Sequence, residues 1–257
     1  MKTIVLCVMT CASVSASILP SVGDVLRSAG KAVQVFWEQV SAINCTELVS
    51  QDKLSKEGKV EYRKDSTFDY LLLMRQADGD LVVEESRVTS PRPAGKERNV
   101  PLLVTNGFST LLFIFHPHFQ SSFEYSPPVA DELEGKSVLR LSFRQVRGAA
   151  SPSCLRLRGR DYPLEWSGTA WIEPASGSVL KIRAGLNSSM EDLGLQSLTA
   201  EVRYAQVRFD DGAGEQWLPS VATIEAQTPL QHWKNTHQFT NYKRFSVKTS
   251  TKTQMPE

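Results

Sequence analysis

With 257 residues, 41% of them hydrophobic, the chain is long enough to bury a sizeable core, as one large β domain or two small ones, and no linker divides it. Its 29 basic residues nearly balance 28 acidic ones, and losing Lys2 with a leader leaves no net charge. That balance argues against a nucleic-acid partner.

At the N-terminus, Lys2 precedes an apolar run from Thr3 to Val14, and Val14-Ser15-Ala16 supplies a small-residue cleavage pattern. These features predict a secretory signal peptide over residues 1–16, a single mature domain over 17–257, and a place in the periplasm or cell envelope. The run is shorter than the ~20 residues of a spanning helix, so no integral membrane segment is expected in the mature chain. Met9-Thr10-Cys11 lacks the small residue expected before a lipidated cysteine. Two of the four cysteines leave with the leader, and Cys45 and Cys154 remain in a compartment where disulfides persist. Either they pair, closing a loop of roughly 110 residues for about 4–5 kcal/mol, or they are two partly buried thiols.

Val22, Leu26, Ala29, Val33, Phe36, Val40 and Ile43 then recur at steps of four and three, with Asp24, Arg27, Lys31 and Glu38 between them. The spacing predicts an amphipathic helix, and Ser21 followed by Asp24 approximates a capping box at its start. From Asn44 the period changes to two. Strands are predicted at 44–49, 59–63, 68–75, 81–88, 137–146, 164–173, 178–186, 195–209, 216–226 and 237–247. Tight turns such as Pro174-Ala175-Ser176-Gly177 make them an antiparallel meander. Two segments depart from that pattern. Ser90 to Arg98 is a polar loop containing prolines, and Asn106 to Phe115, apolar on every side, is read as a short buried helix with a buried strand as the alternative.

Catalytic and metal-binding patterns are weak throughout. Gly107-Phe108-Ser109-Thr110-Leu111 has only half of a nucleophile elbow. The four histidines, His116, His118, His232 and His237, lack the spacing of a metal site, and no cofactor is implied. Glu84-Glu85 and Asp210-Asp211 are read as solvated strand-end or turn residues. Arg156, Arg158 and Arg160 share one face if their segment is extended, where they either contact anionic head groups or stand in solvent. Leu180 with Ile182, Val202 with Tyr204, and Phe239 with Phe245 alternate on apolar faces that form either a filled core or the lining of an apolar cavity.

The order of these elements resembles the LolA-like superfamily of bacterial envelope proteins, which includes the outer-membrane lipoprotein carrier and RseB-like regulators. The phrases behind the resemblance are Gly168-Thr169-Ala170-Trp171-Ile172-Glu173-Pro174 with Gly177-Ser178-Val179-Leu180-Lys181-Ile182, then Val202-Arg203-Tyr204, Trp217-Leu218-Pro219 and Asn241-Tyr242-Lys243-Arg244-Phe245. It implies an α+β, mainly antiparallel fold: a curved, unclosed β half-barrel covered by the N-terminal helix and a short inserted helix. It further implies a non-catalytic carrier for a lipid or lipidated protein. The expected lining is Leu180, Ile182, Val202, Tyr204, Phe239 and Phe245, and the expected lid is Phe108, Leu111 and Leu112. An envelope protein-interaction module with a packed core is the alternative, and a hydrolase a third reading.

Overall fold

The computed structural model describes residues 19–40, 42–77, 80–89, 107, 111–157, 159–209 and 214–245. The predicted signal peptide, the loop from Ser90 to Arg98 and the lid residue Phe108 lie outside them. Helix α1, Val22–Gln39, begins where the sequence places it. Ser21 caps it, its Oγ accepting from the Asp24 N–H at 3.2 Å and donating to the Asp24 carboxylate at 2.7 Å. The helix stops at Gln39, before Ile43, because Ala42 and Ile43 already belong to strand β1, Ala42–Leu54, paired with Leu73 and Leu72.

Twelve more strands follow among the described residues: β2 (Val60–Ala77), β3 (Asp80–Thr89), β4 (Phe123–Tyr125), β5 (Val129–Leu133), β6 (Lys136–Gln145), β7 (Cys154–Leu157), β8 (Arg160–Pro163), β9 (Trp166–Ile172), β10 (Val179–Leu186), β11 (Ser197–Arg208), β12 (Glu215–Gln227) and β13 (His232–Arg244). The two strands expected at 59–63 and 68–75 are one continuous β2. Eleven strands form a single antiparallel sheet in the order β3-β2-β1-β13-β12-β11-β10-β9-β6-β4, with β5 also on β6. The sheet is curved and does not close, so the fold is an unclosed half-barrel. Its long-range seam joins the first strand to the last, from Ile43 opposite Arg244 to Leu54 opposite His232.

A curved sheet leaves its concave apolar face exposed unless something covers it. The cover has two parts. Along α1, Val25, Ala29, Val33 and Phe36 face the sheet, with the cap residue Val40 continuing the stripe. The inserted segment is less regular than one helix: Leu111 and Leu112 lead into a 3₁₀ turn, Phe113–Phe115, then α2, Pro117–Gln120, started by the proline at its first position. Phe113, Ile114 and Phe115 are fully buried. Gln120 ties the two parts together, its Nε2 donating to the carbonyls of Leu26 at 2.9 Å and Phe115 at 2.8 Å.

Against the other flank of α1 lies the β9–β10 turn. Gly177 adopts a positive φ of 74°, and a Cβ there would come within 2.5 Å of the Ser28 carbonyl carbon. Only glycine meets both demands. Gly177→Ala is therefore expected to lower stability by about 3 kcal/mol in urea unfolding, through backbone strain plus displacement of α1. Gly58→Ala, at φ 78° with open space around it, carries the strain without the contact and is expected to cost only about 1–2 kcal/mol. Equal losses at the two positions would show that the turn does not press on α1.

Candidate binding site

The interior between sheet and cover brings together several residues singled out from the sequence. Ile182 on β10 pairs with Val202 on β11 and Ala170 on β9, and these three lie in one buried cluster with Tyr204 and Phe239. Leu111 and Leu112 reach the same cluster from the cover. Two expected lining residues do not. Leu180 is the extra residue of a β-bulge, since Val179 and Lys181 face the consecutive residues Ile172 and Trp171. It is buried but outside that cluster, and Val179 takes the core position instead. Phe245 is 38% exposed. Asn241, at φ 56°, sits in a bulge against β1 that shifts the alternation of β13 from Trp233, Asn235, His237 and Phe239 to Tyr242, so Phe245 lands on the other face.

The structure places the cysteines and the arginines, each left open by the sequence. Cys45 is buried in the β1 interior while Cys154 is exposed on the separate β7–β8 hairpin, and the two are not joined. Arg156 and Arg160 do not share one extended strand, because the chain turns at Gly159 and the hairpin sets Arg156 opposite Asp161 and Leu157 opposite Arg160. Arg160 is exposed, and Arg158 lies outside the described residues.

Where the cover meets the sheet, a cleft of about 40 Å³ remains, lined by Ala32, Val33, Phe36, Leu112, Val179, Tyr204 and Trp217, with Ser178 and Gln216 beside them. That volume has room for a few water molecules and no more. Tyr204 is 6% exposed, and its hydroxyl is buried with no hydrogen-bond partner among the described residues. Two strands away on β13, Tyr242 instead donates to the Pro219 carbonyl at 2.7 Å.

The concave face turns polar toward β3. Arg87 reaches across β2, its guanidinium 5.0 Å from the Tyr70 ring centre, to make a two-pronged contact with Glu47 on β1 at 2.5 and 2.8 Å. Neighbouring strands stand about 4.8 Å apart, so the two extended side chains together bridge about 10 Å over the face of β2. His237 on β13 adds a third contact, its Nδ1 2.7 Å from Glu47 Oε1. A carboxylate only accepts, so Nδ1 carries the proton. Glu85, 4% exposed at its side chain, lies 3.9 Å from Arg87 and accepts the Gly107 N–H at 2.7 Å. It is therefore a buried member of this network and not the solvated residue expected, whereas Glu84 points outward to Arg75. Glu47, Arg87 and His237 were missed. Their only signal is parity: each falls on the inward positions of its strand, with Ile43, Cys45 and Val49, with Val83, and with Trp233 and Phe239.

The chemistry of this network is structural. Burial would raise the Glu47 carboxyl, but hydrogen bonds from His237 and Arg87, with the Arg87 charge, hold it below its ordinary value. Burial lowers His237 despite Glu47. Burial raises Glu85 against the Arg87 charge. Burial and the Glu47 charge push the Cys45 thiol up to about 12, so it stays protonated and is a poor nucleophile. Among the described residues no group of three His, Cys, Asp or Glu is placed to hold a metal ion. His116 instead caps α2, its Nδ1 accepting from the His118 N–H at 3.2 Å, and His232 lies 2.6 Å from Glu225.

Removing the shared carboxylate with Glu47→Gln strands a buried guanidinium and is expected to cost roughly 3 kcal/mol or more in urea unfolding. The pH dependence has a definite sign. His237 lies below its usual 6.5, so the unfolded chain binds a proton that the folded protein excludes, and stability falls as pH drops below about 6.5. Glu47 adds stability above 4.5 that is lost as pH falls through its folded value. Glu85, raised above 4.5, acts oppositely and loses stability as pH rises through its folded value. Comparing unfolding at pH 7.5 and 5.5, His237→Gln is expected to show a shallower loss than wild type. Identical losses would remove His237 from the acid response.

No family model and no curated protein matches the chain. Solved structures similar to it include the crystal structure of a DUF1329 family protein from Desulfovibrio piger ATCC 29098, at 14% identity and a TM-score of 0.46, over 89% of this chain and 95% of that one. Another is the crystal structure of a putative outer membrane lipoprotein-sorting protein domain from Vibrio parahaemolyticus, at 12% identity and a TM-score of 0.31, over 83% and 92%.

Proposed function

We propose that this is an exported envelope protein that holds the acyl chain of a lipid or lipoprotein, without chemistry, between the concave face of the half-barrel and its helical cover. The observation carrying this reading is the apolar character of that interface, in which Ile182, Val202 and Phe239 of the sheet lie in one buried cluster with Val33, Phe36 and Leu112 of the cover. An acyl chain inserted there replaces one set of apolar contacts with another, and each methylene withdrawn from water contributes ~0.8 kcal/mol. The closed cleft is far too small for such a chain, so binding requires α1 and residues 111–120 to move away from the sheet. No helix among the described residues is long and apolar enough to cross a membrane.

The same close filling favours a second reading, an envelope protein-interaction module whose core admits nothing. Native mass spectrometry of gently purified protein, followed by titration with palmitate, separates the two. The carrier reading predicts co-purifying acyl species, or palmitate adducts at micromolar concentration that Gln120→Ala takes up faster, because that substitution releases the clamp between α1 and the insertion. Protein free of lipid that also ignores millimolar palmitate would leave only the packed module.

A further inference from the structure

Tyr204 is the one place in the cleft where the closed protein leaves its own chemistry unfinished. A hydroxyl buried without a partner costs about 1–3 kcal/mol relative to one that is bonded or wet. This one is buried and lies among the residues that line the cleft, with Val33 and Phe36 of α1 on one side and Val179 of β10 on another. Tyr242, in the same wall, shows the ordinary solution by donating to a main-chain carbonyl. At the neighbouring Trp217, also a lining residue, the Lys136 ammonium lies 5.3 Å from the ring centre while its side chain is exposed. The cleft thus has a buried neutral donor among its lining residues and an exposed cation over another of them, Trp217. Burial holds the Tyr204 phenol well above its ordinary titration range, so it stays a donor.

We infer that Tyr204 is the hydrogen-bond donor for the linkage carbonyl of an acylated ligand, an ester or amide at the point where the acyl chain leaves the apolar interior, with an anionic head group beyond it near Lys136. This rests on the acyl-binding reading above and deepens it by naming the residue that would recognise the carbonyl at the polar end of the chain. A free hydrocarbon or an ether-linked chain fills the same interior and leaves the Tyr204 hydroxyl unsatisfied.

The test compares a monoacyl glycerophospholipid with its ether-linked analogue of the same chain length and head group, on wild type and Tyr204→Phe, by native mass spectrometry and calorimetric titration. The expected result is that wild type prefers the ester lipid by about three- to tenfold, the worth of one buried hydrogen bond, and that Tyr204→Phe binds both equally at the level of the ether lipid. An ester-to-ether ratio unchanged by Tyr204→Phe overturns the assignment and leaves the hydroxyl as a holder of water at most. If wild type binds neither lipid nor palmitate, the acyl-binding reading itself fails, and the assignment with it. Folding supplies a separate check. Without ligand, Tyr204→Phe should melt at or above wild type, since it removes an unsatisfied group, while Tyr242→Phe should melt lower. A clear loss of stability in Tyr204→Phe would mean that the hydroxyl already has a partner, which also overturns the assignment.

Discussion

A single curved sheet cannot bury its own concave face, and most features of this protein follow from that constraint. In a sandwich a second sheet fills the space; here eleven strands lie in one layer, and the filling comes from α1 and residues 111–120. Because the cover is not hydrogen-bonded into the sheet ladder, its attachment is mainly apolar packing, supplemented by the donation of Tyr125 on β4 to the Ile114 carbonyl, while the Gln120 clamp joins its two parts to each other. Packing of that kind is strong in sum and non-directional. It is therefore also exchangeable for another apolar surface of suitable shape.

The sheet has its own cross-strand support from β3 to β13. The bridge from Arg87 over Tyr70 to Glu47 and on to His237 links β3, β1 and β13 through the concave side. Pulling these strands apart would expose an uncompensated buried charge, so the network resists separation of β3, β1 and β13. The interior is thus divided. Toward β9–β12 it is apolar and covered by elements that pack without a sheet ladder; toward β3 it is polar and cross-braced. On the proposed reading, a cover that can move and a frame that stays braced are two aspects of one division of residues.

Much of this frame was legible in the sequence. The stripe from Val22 to Val40 and the Ser21 cap identify α1, since a helix states its period and its start within a few residues. The meander from β9 to β13 declares itself through alternation and tight turns. What failed to show were events that break alternation or join distant segments. The bulges at Leu180 and Asn241 each change which side chains face inward, which is why Val179 replaces Leu180 and why Phe245 faces away. The hairpin of β7 and β8 is only four residues per strand, too short for a period to emerge. Glu47, Arg87 and His237 come from strands 40 and 190 residues apart in the chain, and no local spacing announces such a meeting. The orphaned hydroxyl of Tyr204 was likewise invisible, because the sequence shows an aromatic on an apolar face and not whether its oxygen finds a partner.

Acyl binding of this kind needs the cover to separate from the sheet while the frame stays folded. Hydrogen exchange at individual amides, measured with and without a monoacyl lipid, reads that separation. Amides of α1 and residues 111–120 are expected to exchange through an opening well below the free energy of global unfolding, those of β10 to β13 only with global unfolding, and lipid is expected to alter protection in the cover first. Exchange of α1 at the same free energy as the central strands, unchanged by lipid, would contradict it.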